Sequence, residues 1–170
     1  KAKLQAELGL STKQEAEELF NQYHERVPFV RDLMNETSRW ASREGEIRTL
    51  LGRGCRFNKW EPAQFGMHTP MTWEDAMKKY GENRIRRAFT YKALNKLIQG
   101  SAADMTKKSM LDLYKEGIIA HIQIHDELDI SVESDKKAEQ IIEIMEAAVD
   151  LEVPNKVDYE SGKTWGDIYD

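Results

Sequence analysis

Cysteine is almost absent from this sequence, since Cys55 is the single thiol among 170 residues. A lone cysteine excludes an internal disulfide and any zinc site built from several thiolates, and it fits a reducing, cytoplasmic location. Long apolar runs are also missing, because none approaches the roughly 20 residues that a membrane-spanning helix needs. The first residues lack the apolar centre and cleavage site of a signal peptide. We therefore expect a cytoplasmic protein with no membrane partner.

The composition is that of a soluble domain, or of a piece of a larger one. Hydrophobic residues make up 40% of the chain, charged residues make up 32%, and the mean hydropathy is -0.69. The net charge is -5, but it is unevenly distributed: residues 76–108 hold nine Lys or Arg and two acids, whereas residues 115–170 hold five and fifteen. The basic segment is typical either of contact with a phosphate backbone or of a solvated helix face.

Residues 118–132 predict a β-hairpin with a charged tip. Two β-branched runs, 118–124 and 128–132, have apolar side chains at every second position, as half-buried strands do. The step between them, His125-Asp126-Glu127, is short enough only for a tight turn. A rigid hairpin could hold the imidazole and the two carboxylates for metal or phosphate chemistry. The alternative is that these are ordinary solvated turn residues.

The first 80 residues predict helices, a short ribbon and a loop. Ser11 is placed to cap a helix that ends near His24, and residues 28–44 predict a second helix that Gly45 terminates. Residues 46–54 predict a short strand or ribbon leading into a glycine turn. Residues 55–72 predict an irregular loop, and residues 74–80 predict a short helix. Aromatic side chains should anchor that loop by packing; they are Trp60, Phe65 and Trp73.

Residues 83–115 predict one long helix, because no proline or loop signal interrupts them. At 100° per residue, a narrow face alternates polar and small side chains, namely Arg84, Ala88, Tyr91, Asn95, Gln99 and Ala102. Amide side chains both donate and accept hydrogen bonds, which suits the minor-groove edges of base pairs. The alternative is an ordinary polar face. Another face, expected to be the buried one, comprises Leu94, Leu97, Ile98 and Met105.

The last 36 residues predict a helix followed by a strand. Asp135 can cap a helix that runs to about Val149, and Pro154 prevents its continuation. Residues 157–161 alternate like a strand. Helices first, and then a hairpin, a helix and a strand, indicate the α+β class.

The long helix and the hairpin together resemble the C-terminal end of family A DNA polymerases, the bacterial DNA polymerase I type, and the phage branch most of all. Gln123-Ile-His-Asp-Glu-Leu128 is similar to the family's motif C. Ala93-Leu-Asn-Lys-Leu-Ile-Gln-Gly-Ser-Ala-Ala-Asp104 is similar to its palm helix, and Gly45 to Arg53 resembles the ribbon after the fingers helices. The resemblance implies fingers and connecting ribbon in residues 1–80, and in residues 81–170 a palm whose hairpin and C-terminal strand pack on long helices.

The resemblance also implies roles for particular residues. Asp126 matches the catalytic aspartate that binds two divalent metals, Glu127 a supporting carboxylate, and His125 an imidazole that contacts the primer end. Asn95 and Gln99 match minor-groove contacts to template or primer. Where many cellular members carry an arginine one turn before that Asn, this chain has Tyr91, with Lys92 beside it. Arg84, which comes from the polar helix face and not from the resemblance, completes the expected DNA-binding set.

The implied reaction is template-directed nucleotidyl transfer in DNA replication, with two Mg²⁺ ions as cofactors and with primer-template DNA and deoxynucleoside triphosphates as partners. The family's motif A aspartate and motif B fingers helix have no equivalent here. We therefore expect the chain to need the N-terminal remainder of the polymerase, on the same or a second polypeptide, and to be inactive alone. The alternative is a non-catalytic module that binds DNA or a partner protein. Either would act in the cytoplasm of a bacterium or of a phage-infected host.

Overall fold

The computed structural model describes residues 2–64 and 66–168, apart from the side chains at positions 2, 3 and 168. The chain folds as helices and small antiparallel sheets, the α+β class expected from the sequence. It divides into two compact units. The first contains the residues up to Arg48 together with Gly54–Leu97, and the second contains Thr49–Arg53 and the residues from Ile98 onward.

The first unit begins with three helices: α1 (Ala2–Glu7), α2 (Lys13–Arg26) and α3 (Pro28–Glu44). The prediction that Ser11 caps α2 was wrong by one residue. Thr12 is the cap: its hydroxyl accepts from the Glu15 N–H at 3.2 Å, and the Glu15 carboxylate accepts in return from the Thr12 N–H at 3.4 Å. This reciprocal pair satisfies two backbone donors that a helix leaves unpaired at its start.

The end of α3 was predicted correctly, because Gly45 has a φ of 75° and terminates the helix. Strand β1 (Glu46–Arg48) follows at once and pairs antiparallel with β2 (Gly54–Arg56). These elements enclose the core of the first unit, since Ala41, Ile47, Phe57 and Ala93 are buried there. The expected ribbon and glycine turn are therefore confirmed.

Residues 55–72 are not wholly irregular, contrary to the prediction. Strand β3 (Trp60–Pro62) lies within them and pairs antiparallel with β4 (Ile85–Arg87). Trp60 packs beneath the Arg87 guanidinium, 4.7 Å from the ring centroid, as an anchor would. Trp73 instead begins α4 (Trp73–Tyr80) and is half exposed, and Phe65 lies outside the described residues.

The long helix starts ten residues later than predicted, since α5 spans Ala93–Lys115. Pairing with β3 holds residues 85–87 in an extended conformation, and the Ala88 N–H donates to the Lys59 carbonyl at 2.8 Å. Phe89 then has a φ of 64°, which no helix continues through. Short 3₁₀ turns occupy Glu82–Arg84 and Thr90–Lys92. Along the predicted buried face, Ile98 is exposed.

The second unit contains the later turns of α5, a hairpin of β5 (Ile122–Ile124) and β6 (Glu127–Asp129), and α6 (Asp135–Glu146). The hairpin is confirmed, although its strands are shorter than predicted. Ser134, not Asp135, caps α6 through its side chain. The core consists of the buried Leu113, Ile118 and Ile141, with Leu128, Ile130, Ile144 and Met145 packed against them.

The predicted strand at residues 157–161 does not form, and the C-terminal residues of the described chain end in a 3₁₀ turn, Trp165–Ile168. Glu146 instead fastens this segment: its carboxylate accepts from the Val157 N–H and from Lys156 Nζ, both at 3.1 Å. These two contacts, the backbone one foremost, lower the pKa of Glu146. An alternating sequence needs a neighbouring strand to hydrogen-bond with, and the described part of the second unit offers none to it.

Candidate active site and nucleic-acid interface

The tip of the β5–β6 hairpin is tighter than the sequence indicated. Ile124 pairs with Glu127, so the loop consists of His125 and Asp126 alone, and Glu127 is the first residue of β6. The Gln123 side chain donates to the His125 carbonyl at 2.9 Å and thereby braces the turn. The predicted turn is therefore confirmed at His125 and Asp126, whereas Glu127 lies in strand β6 and not in the turn.

His125 adopts a left-handed backbone conformation, with a φ of 54°. Two-residue hairpin loops require a positive φ at their first position, where Gly, Asn or Asp usually stands. Histidine is several-fold enriched among the few non-glycine residues that tolerate this region, yet the conformation still costs free energy. A strained, exposed histidine beside two carboxylates is typical of a functional site.

Asp126 and Glu127 are exposed and line one side of a groove of about 970 Å³. Helices α5 and α6, the hairpin and the C-terminal segment form its walls. Asp129 also lines it, and its Oδ2 atom is buried without a hydrogen-bond partner among the described residues. The groove therefore has carboxylates at its rim and one desolvated carboxylate oxygen within.

The donor chemistry of Asp126 and Glu127 fits hard cations such as Mg²⁺, which prefer oxygen ligands. Among the described residues, no group of three or more metal-ligating side chains lies together.

The predicted DNA-binding residues do not form one face. Asn95 and Gln99 do: they lie one turn apart on α5, and both are exposed. Tyr91 and Lys92 precede the helix in a 3₁₀ turn, with the Lys92 Nζ 5.2 Å from the centroid of the Phe89 ring. The face predicted to continue back from Asn95 is therefore wrong at Arg84, Ala88 and Tyr91, because these residues precede α5 and are not α-helical.

Several cations of the basic segment are held by the protein itself. Arg84 Nε donates to the Tyr80 carbonyl at the end of α4, at 2.7 Å. Arg86 forms an ion pair with the buried Glu61 at 2.9 Å, and Arg87 donates to the Phe57 carbonyl at 3.0 Å. These three arginines stabilise the first unit, so the count of basic residues overstates the charge free to contact phosphate.

Sequence reasoning missed a buried polar cluster in the second unit. Asp104, on α5, is buried and accepts from the Thr49 hydroxyl and, at 2.7 Å, from Arg53 Nε. Together these hydrogen bonds, that of Thr49 first, lower the pKa of Asp104. About fifty residues separate the partners, so no local pattern predicts the contact. The available signal was an aspartate, Asp104, among the small and apolar residues of a helix.

The comparisons with known proteins agree with this arrangement. Residues 1–167 match the family described as DNA polymerase family A. The DNA-directed DNA polymerase of Pseudomonas phage M6 is 35% identical over 152 residues, which cover 89% of this chain and 20% of the phage protein. The DNA polymerase I of Bacillus caldotenax is 34% identical over 169 residues, covering 94% of this chain and 17% of that protein.

A solved structure shares the fold. The POL domain of Pol1 from M. smegmatis, in complex with DNA primer-template and dNTP, superposes with a TM-score of 0.63 and 28% identity, over 89% of this chain and 25% of that one. The chain thus spans a fifth or less of the length of the curated relatives named here. No helix among its described residues is long and apolar enough to cross a membrane. With its sequence matched to the family almost from end to end, this chain belongs to DNA polymerase family A.

Proposed function

We propose that the chain is the C-terminal part of a DNA-directed DNA polymerase, in which the β5–β6 hairpin is motif C. The observation that carries the proposal is the two-residue tip, which presents Asp126 and Glu127 to solvent at the rim of a groove. The family membership supports it, and so does the fold shared with a polymerase domain whose structure holds primer-template DNA and dNTP. Residues 1–80 would belong to the fingers and ribbon, and residues 81–170 to the palm.

The reaction is the attack of a primer 3′ hydroxyl on the α-phosphate of a deoxynucleoside triphosphate, with pyrophosphate leaving. Two Mg²⁺ ions, when bound, lower the pKa of the hydroxyl and balance charge on the leaving phosphates. Asp126 would hold them and Glu127 would support them. A further carboxylate would come from outside the described residues, among which no group of three metal ligands lies together. The N-terminal remainder of the polymerase would supply it, with the motif A strand and the fingers helix that grips the triphosphate.

The other residues of this chain would position the DNA. Asn95 and Gln99, exposed one turn apart, suit the minor groove, where acceptors occur at the same place in every base pair. His125 would contact the primer end from the strained position in the turn. Tyr91 and Lys92 would lie near the same strand just before the helix. Arg84 is the least suited of these residues to contact DNA, because its guanidinium already donates to the Tyr80 carbonyl at the end of α4.

The second candidate function is a module that binds duplex DNA or a partner protein without catalysing anything. The observation that favours it is that no group of three metal ligands lies together among the described residues. The two functions differ in one respect: only a polymerase part becomes active when the missing carboxylate is supplied.

Primer extension tests the proposal. The chain is mixed with a candidate N-terminal polymerase fragment, Mg²⁺, all four nucleotides and a primer-template, beside each polypeptide alone. We expect extension only in the mixture, and a loss of about a thousandfold with Asp126→Ala, equivalent to roughly 4 kcal/mol of transition-state stabilisation.

Asp150→Ala provides the matched control, since Asp150 is an exposed aspartate of the same unit that does not line the groove. It should leave extension unchanged. Extension by the chain alone would contradict the proposed division of the site. An inactive mixture that forms a stable complex would favour the binding module.

A further inference from the structure

The loop of residues 49–53 is fixed to helix α5 by a polar cluster, here called the loop clamp, that consists of Thr49, Arg53, Gly100 and Asp104. The Asp104 carboxylate accepts from the Thr49 hydroxyl at one oxygen and from Arg53 Nε at the other. The Thr49 oxygen in turn accepts from the Arg53 N–H at 3.0 Å. A buried carboxylate with both oxygens paired to one loop holds that loop in a single place on the helix.

Gly100 allows the close approach. Arg53 Nη2 donates to the Gly100 carbonyl at 2.8 Å. A Cβ atom at position 100 would lie 2.8 Å from the Thr49 methyl group, closer than such atoms approach. Glycine inside a helix costs about 1 kcal/mol relative to alanine. Contact with the loop is the feature of this structure that requires the glycine.

The clamp acts on the backbone that directly follows Gln99. Besides the Arg53 contact to Gly100, the Leu50 N–H donates to the Ser101 hydroxyl at 2.9 Å. Gln99 itself is exposed, on the other side of the helix from the buried Asp104. The loop therefore holds two consecutive residues next to the side chain proposed to read the minor groove.

We infer that Arg53, through the loop clamp, is a positioning residue for Gln99 in primer-template binding. This inference rests on the proposed function, since it needs Gln99 to contact DNA. A helix segment fixed before binding loses less conformational entropy when the DNA arrives, and a flat guanidinium that bridges a carboxylate and a carbonyl is a rigid way to fix it. Arg53 acts behind the helix and does not itself read the base pair.

A compensating pair of substitutions tests the inference. Gly100→Ala should push the loop away through the Thr49 methyl group while it favours the helix. Thr49→Ser removes that methyl group and keeps the hydroxyl that Asp104 requires. Titrating the full chain onto a fluorescent primer-template duplex, we expect Gly100→Ala to weaken binding about tenfold, the size of one lost base contact. Addition of Thr49→Ser should restore affinity to within about twofold.

The salt dependence separates positioning from a direct phosphate contact by Arg53. Loss of a phosphate contact reduces the slope of log affinity against log salt concentration by about one. Arg53→Gln removes the charge, so it should weaken binding about as Gly100→Ala does and leave the slope unchanged if Arg53 only positions the helix. Arg53→Lys keeps the charge but loses the fork, and it should weaken binding as well. Full affinity in Arg53→Lys, or no rescue by Thr49→Ser in a chain whose circular dichroism is unaltered, would overturn the inference.

Gln99→Ala distinguishes the failure of the inference from that of the proposed function. If this variant binds DNA like the parent, the proposed minor-groove contact is wrong and the inference falls with it. If it weakens binding while Gly100→Ala does not, only the positioning role is wrong. If the minor-groove contact and the positioning role are both correct, the double variant Gln99→Ala, Gly100→Ala should bind no more weakly than Gln99→Ala alone.

Discussion

Two tight loops of the second unit are each associated with one aspartate, and these two carboxylates differ in burial and in hydrogen bonding. The loop of residues 49–53 is fastened to α5, and its partner Asp104 is buried with both oxygens paired. The loop of His125 and Asp126 is braced by the Gln123 side chain, and its carboxylate is exposed. A buried carboxylate with satisfied oxygens stabilises a fold, whereas an exposed one at a strained turn stays available to ligands.

The same substitution at both aspartates should separate stability from activity. Asp104→Ala leaves Arg53 and the Thr49 hydroxyl without their acceptor, so we expect a loss of roughly 2–3 kcal/mol in the free energy of unfolding. Asp126→Ala removes a solvated side chain and should change stability by less than about 0.5 kcal/mol. Urea unfolding of the full chain measures both values. Equal losses at the two positions would contradict the comparison.

The buried Asp104 should also determine how the stability of the chain decreases at acid pH. Because the pKa of Asp104 is lowered in the folded chain, its contribution is complete above the unfolded value of about 3.9 and is lost as the pH falls through the folded one. Melting temperatures between pH 7 and pH 3 should therefore drop less steeply in Asp104→Asn. Thr49→Val, which removes the foremost cause of the shift, should flatten the curve in the same direction. A slope identical to that of the parent in both variants would show that other groups govern this decrease at acid pH.

Substitution in the strained turn can stabilise the chain, whereas substitution of Asp104 at the fixed loop should destabilise it. His125→Gly relieves the positive φ and should stabilise the chain by up to about 1 kcal/mol, whereas His125→Val should destabilise it by about 1–2 kcal/mol. Both are measured by urea unfolding. A His125→Gly chain less stable than the parent would mean that the imidazole contributes more to the fold than its backbone conformation costs.

The sequence predicted those elements whose signals are local. Pro28 and Gly45 mark the two ends of α3, and the alternation around the His-Asp-Glu step gave the hairpin and its tip residues. These signals act over a few residues, so tertiary contacts did not override them. The candidate site could be located from the sequence for the same reason, because its carboxylates are adjacent in the chain.

Elements that depend on distant partners could not be predicted. Trp60 pairs with Arg87 across 27 positions, and this pairing excludes a helix where the pattern favoured one. The strand expected at residues 157–161 has the right alternation but no partner strand within the described chain. The loop clamp joins residues about fifty positions apart. In each case the deciding contact is absent from any short window of sequence.

The two-residue connection between β5 and β6 also limits how the gene can change. One residue added or removed between Ile124 and Glu127 would shift the pairing by one position and turn Leu128 and Ile130 from the core toward solvent. Point substitutions keep the spacing and can be accommodated one at a time. For the fold of this segment, mutations that preserve its length should therefore be tolerated more readily than insertions or deletions.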